Sequence, residues 1–119
     1  MTQTMTEVKA EATGRISSEP ELTKTTGGVH VCRFKVATEV GPATNPVVKW
    51  IYVVGDLTVR PSEDLAVRAS RLVVGDLVIV PGIERQRMRR TRGVDWVESA
   101  IEASNVRLRR RAWQTGGGA

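Results

Sequence analysis

Residues 84–92 read E-R-Q-R-M-R-R-T-R, which sets Arg85, Arg87, Arg89, Arg90 and Arg92 close together along the chain. Guanidinium groups hold phosphate oxygens through paired N–H donors, and cations at this density repel one another unless they share an anion. The chemistry this pattern points to is recognition of a polyanion. The alternative is a solvated, solubilising face. A formal net charge of +5 leans toward the first. Arg107, Arg109, Arg110 and Arg111 extend the basic half, whereas the acidic residues are scattered along the chain.

These arginines need a frame, and most of the chain has the period of two that builds strands. Val8, Ala10, Ala12 and Gly14 alternate with polar neighbours through Ile16, which predicts a half-buried strand over residues 8–16. A polar, turn-rich stretch, S-S-E-P-E-L-T-K-T-T-G-G, separates it from a second strand over residues 29–38. There Cys32, Phe34 and Val36 share a core face, while Val31, Arg33 and Lys35 share a face that can meet a ligand. Gly41, Pro42, Asn45 and Pro46 mark a loop. The run V-V-K-W-I-Y-V-V then forms a third strand that ends near Gly55 and is apolar on both faces.

From Glu63 to Leu72 the period changes. Leu65, Ala69 and Leu72 line one side of a short helix that Pro61-Ser62 starts and Gly75-Asp76 stops. L-V-I-V-P-G is a short buried strand, expected to break at Pro81-Gly82 where a sheet curls. The arginine segment follows, turns at Gly93 and returns as one arm, W-V-E-S-A-I-E-A-S-N-V-R-L. Five strands with one short helix between the third and fourth is the order of an OB-fold, an all-β, partly open Greek-key barrel. The expected organisation is a flexible segment over residues 1–7, one domain over 8–111 and a flexible tail over 112–119 that includes Trp113.

Several function classes fit poorly. The sequence has no glycine-rich phosphate loop, no H-x-E or C-x-x-C spacing and no serine elbow, so no enzyme, cofactor, metal site or small-molecule substrate is expected. His30 stands alone on a strand and reads as a surface or interface residue. Cys32 is the one cysteine of the 119 residues, which rules out an intramolecular disulfide and fits a buried thiol in a reducing compartment. The first residues lack a basic stretch followed by an apolar core, and no run approaches the roughly 18 apolar residues that span a bilayer. A soluble, cytoplasmic protein without a membrane partner is expected.

Four segments, in order, resemble the bacterial single-stranded DNA-binding protein family. G-R-I-S-S-E-P-E-L at residues 14–22 is similar to the family's first-strand exit, and T-G-G-V-H-V-C-R-F-K-V-A-T at 26–38 to its second strand. W-I-Y-V-V at 50–54 resembles the third strand. D-L-A followed by G-D-L-V-I-V-P-G at 75–82 resembles the helix start, its glycine stop and the fourth strand. The resemblance implies an OB-fold that binds single-stranded DNA with little sequence preference, commonly as a homotetramer, in replication, recombination or repair. A dimer is the second possibility for this chain.

Trp50 stands where the family carries a stacking tryptophan, and Tyr52 shares its sheet face by alternation. The two are the expected stacking pair, with core packing as the other reading. Trp96 is either a second platform or a hairpin packing residue. Arg89 stands where the family has an aromatic, and Gly55, Asp56 and Leu57 where another follows, so phosphate contact is expected to replace part of the stacking. The expected nucleic-acid contacts are therefore Arg33, Lys35, Trp50, Tyr52, Arg85, Arg87, Arg89, Arg90, Arg92 and Trp96. The competing functions are a primosomal-type OB-fold adaptor, bridging single-stranded DNA and a protein, and a duplex DNA or RNA binder that lays the arginine hairpin in a groove.

Overall fold

Five antiparallel-prone strands close into a barrel because each carries one apolar face that only its neighbours can cover. The computed structural model describes residues 8–38 and 47–112. The expectations for residues 1–7, for the loop around Gly41 to Pro46 and for the tail from Trp113 lie outside the described residues.

In chain order the elements are β1 (Val8–Ile16), β2 (Glu21–Lys24), β3 (His30–Thr38), β4 (Val47–Val54), a 3-10 turn (Pro61–Glu63), α1 (Leu65–Ala69), β5 (Leu77–Thr91), β6 (Val94–Ala103) and β7 (Arg107–Arg110). The pairing runs β1-β3-β4-β6-β5, and β1 also pairs β5, so these five strands form a closed ring. The β4–β6 pair is parallel and the others are antiparallel. The fold is the all-β OB architecture, with α1 between β4 and β5, the third and fourth barrel strands.

Two short strands exceed the expected five. Part of the polar stretch after β1 forms β2, which pairs β3 at the barrel's edge. The returning arm does not stay one strand: it ends at Ala103, turns, and Arg107–Arg110 comes back as β7 against the start of β5. Both additions are solvent-exposed along their length, so the apolar period that reveals a strand is missing from them.

The expected break at Pro81-Gly82 is a bend inside one continuous strand. Residues 77–84 of β5 pair with β1, and residues 82–91 pair with β6, so the strand changes partner there. Proline withholds a donor but not an acceptor, and the Pro81 carbonyl accepts from the Ser104 N–H at 2.9 Å. At Gly82 a Cβ would run into the Glu102 carbonyl, so the two backbones approach this closely only with glycine.

The core gathers Ile16, Cys32, Phe34, Val36, Ile51, Val53, Val78, Val80 and Ile101 beneath Ala66 and Ala69 of α1. Each such branched or aromatic side chain contributes about 1.5–3 kcal/mol by leaving water. The helix is shorter than the periodicity predicts and ends at Ala69. Its start is held by buried Asp64, whose carboxylate accepts from the Ala66 N–H at 2.9 Å, the Val67 N–H at 3.2 Å and the Asp56 N–H at 3.0 Å. Leu72, beyond the helix end, still packs on the core.

Candidate nucleic-acid interface

Ile51 and Val53 point into the core, so alternation sends Trp50 and Tyr52 to the outer face of β4. The register then lays two rows across four strands. One is Lys35, Trp50, Ala100 and Arg85; the next is Arg33, Tyr52, Glu102 and Ile83. Residues distant in sequence, on β3, β4, β6 and β5, thus share one surface.

Trp50 is the centre of this surface. It is half-buried, with the Arg33 guanidinium 5.0 Å and the Lys35 ammonium 4.8 Å from its ring centroid. Each contact is worth about 0.5–2 kcal/mol, depending on how dry it is. Arg33 also donates to the Glu21 carboxylate of β2 at 2.7 Å and to the Tyr52 hydroxyl, which raises its pKa above the ordinary guanidinium value, Glu21 being the larger cause. Tyr52 lies 6.5 Å from Trp50, centroid to centroid, with the rings tilted by 30°. It is only 5 % exposed and is flanked in register by Arg33 and Glu102. Tyr52 therefore props Trp50 and Arg33, and offers no open ring face.

The arginine hairpin carries its own counterions. Arg85 Nε donates to Glu102 at 2.6 Å, and Arg90 contacts both carboxylate oxygens of Asp95, at 2.8 Å and 3.3 Å. Arg87 pairs in register with Glu98, a buried residue, and Arg89 with Trp96. Lys49 approaches Glu84 at 4.0 Å. Residues 84–103 hold five arginines and four acidic residues. The acids that read as scattered along the chain are brought opposite the arginines by strand pairing. Alternation of Glu98, Ala100 and Glu102 on a strand returning from the arginine run was the signal that could have found them, and Glu21 had none.

At the hairpin's tip, Thr91 pairs with Val94, leaving Arg92 and Gly93 as a two-residue loop with φ of 54° and 80°. This loop demands the left-handed region at both positions, which costs a non-glycine residue about 1 kcal/mol. Trp96 shares the outer face of β6 with Ala100 and remains 43 % exposed, while its Nε1 donates to Thr91 at 3.1 Å. It thus both packs the hairpin and presents a ring. Arg90 faces the opposite side of the hairpin from Trp96, with Met88 and Val97, and Arg92 sits in the turn. The structure therefore gathers Arg33, Lys35, Trp50, Tyr52, Arg85 and Trp96 on one face, and sets Arg90 and Arg92 apart from it.

Cys32 is fully buried in the core, and burial pushes its thiol up to about 11. His30 is half-buried at the start of β3, opposite Lys24. Among the described residues no group of three or more His, Cys, Asp or Glu is placed to hold a metal ion, and no helix is long and apolar enough to cross a membrane.

No family model matches the sequence, and comparison with curated proteins finds no significant match. Solved structures do match. The small single-stranded DNA-binding protein of Streptomyces coelicolor is 23% identical, with a TM-score of 0.62 over 87% of this chain and 95% of that one. The mitochondrial single-stranded DNA-binding protein of S. cerevisiae is 17% identical, with a TM-score of 0.66 over 90% of this chain and 99% of that one. A deletion mutant of the Thermus aquaticus single-stranded DNA-binding protein is 19% identical, with a TM-score of 0.64 over 84% of this chain and 40% of that longer one. The OB-fold of the single-stranded DNA-binding proteins is the fold of this chain.

Proposed function

We propose that this chain binds single-stranded DNA with little sequence preference, across the outer face of β3, β4, β6 and β5, as a binding protein without catalysis. The observation that carries the reading is Trp50, an aromatic ring on the outer face of the barrel with Arg33 and Lys35 within 5.0 Å of its centroid. A base stacks on the ring, and the two cations turn to the phosphates on either side of it. Every base has a π-face, so such a platform tolerates any sequence. Arg85 and the exposed ring of Trp96 continue the path along the hairpin, where arginines take the place of further aromatics. The likeness in fold to single-stranded DNA-binding proteins supports the same reading.

The proposal extends to assembly as a homotetramer, serving replication, recombination or repair in the cytoplasm. Exposed Val48, Val54, Met88 and Val97 support self-association, because a monomer leaves them in water. Linked grooves would then hold one strand with added avidity.

The test is competition between a mixed-sequence oligonucleotide and its duplex. Tighter single-strand binding is expected, with Trp50→Ala losing about 1–3 kcal/mol, about 5- to 150-fold, while the salt slope stays unchanged. Equal or stronger duplex affinity would refute the reading, and light scattering reports the assembly.

A further inference from the structure

The densest run of positive charge without an acidic neighbour in sequence lies outside the Trp50 rows, at β7. The hairpin nearly balances itself, as its five arginines and four acids show, whereas residues 104–112 hold Arg107, Arg109, Arg110 and Arg111 with no acidic residue. Beside β7, the C-terminal end of α1 and the turn after it present Arg68 and Arg71, the acids Glu63 and Asp64 standing at the helix's other end. Between α1 and β7 lies a groove of about 240 Å³, lined by Leu65, Leu72 and Leu108 and rimmed by Arg68, Arg71 and Arg111.

We propose that this groove docks an acidic peptide segment of a partner protein, seating one or two apolar side chains on the leucines and its carboxylates on the arginines. The volume is below that of a pocket for a drug-sized molecule and fits one or two side chains. Arg68 and Arg71 are exposed and take part in no ion pair among the described residues. Arg111 is steered by buried Asp76 at 3.7 Å, which fixes one side of the rim. Guanidinium groups around an apolar floor complement a peptide that alternates carboxylates and apolar residues.

Other occupants fit less well. Among the described residues no aromatic ring on which a base could stack lines the groove, so a nucleic-acid strand would leave the leucines uncovered. A second copy packed groove to groove would set the same arginines against each other. Residues 113–119 of this chain carry no acidic side chain.

The experiment uses the full chain and a fluorescent nine-residue peptide of Asp and Glu around a central Leu-Leu pair, followed by polarisation at moderate salt. Micromolar binding is expected, weakened at least 10-fold by Arg68→Glu with Arg71→Glu and by replacing the peptide's acids with amides. Circular dichroism and a thermal melt establish that the double variant folds, which its exposed positions favour. Oligonucleotide affinity should change less than 2-fold in that variant, and a saturating oligonucleotide should leave the peptide bound. The proposal is overturned if the peptide does not bind, if the charge-reversed variant or the amide peptide binds equally well, or if an oligonucleotide displaces the peptide and loses affinity in the variant.

Discussion

Replacing Glu102 by glutamine should tighten single-stranded DNA binding, although it removes an ion pair from the site. In the free protein Arg85 Nε lies 2.6 Å from the Glu102 carboxylate, and both side chains are 39 % exposed. A phosphate that reaches Arg85 must share it with this carboxylate. Two like charges about 6 Å apart cost about 0.7 kcal/mol in water and about 2.8 kcal/mol at an effective dielectric of about 20. Half-exposed side chains belong near the lower end, so a gain of about 1 kcal/mol, about 5-fold, is expected at low salt. Removing this competing carboxylate should also steepen the fall of log affinity with log salt, by up to about 0.7. Folding stability should drop by no more than about 1 kcal/mol, the usual worth of an exposed pair. Fluorescence titrations of both proteins with a thymidine oligonucleotide at several salt concentrations measure both quantities. If Glu102→Gln binds no tighter and keeps the parental slope, Arg85 does not meet phosphate and the path along the hairpin is wrong.

Two further outcomes concern the frame beneath the site. Asp64→Ala should cost about 2 kcal/mol, because the buried carboxylate serves three backbone N–H groups at the start of α1 and the end of β4. A urea midpoint within experimental error of the parent would show that this cap is dispensable. Burial holds the Cys32 thiol neutral up to about 11, against an ordinary value near 9. The folded-state value is raised, so this stabilisation is complete below pH 9 and is lost as pH rises toward 11, at about 1.4 kcal/mol per pH unit. Urea melts across that window should therefore lose stability faster for the parent than for Cys32→Ala, and parallel losses would contradict the assignment.

Much of this architecture is determined by local pattern. Alternation in V-C-R-F-K-V assigns Cys32, Phe34 and Val36 to the core and Arg33 and Lys35 to the outer face, and the same rule separates Ile51 and Val53 from Trp50 and Tyr52. A side chain's face follows from a period of two within one strand, so no knowledge of its partner is needed. What tertiary structure alone decided is who lies beside whom. Tyr52 is buried because Arg33 and Glu102 flank it from β3 and β6, and Arg85 finds Glu102 because β5 and β6 pair in one register. Neither neighbour can be read from residues 50–54 or 84–92. The exposed strands β2 and β7 have no signature in the sequence for the complementary reason, since pairing along a barrel edge needs no apolar face. Register and barrel closure are set by hydrogen-bond ladders between segments far apart in the chain, and those ladders set acidic residues opposite a run of arginines and made the hairpin almost neutral.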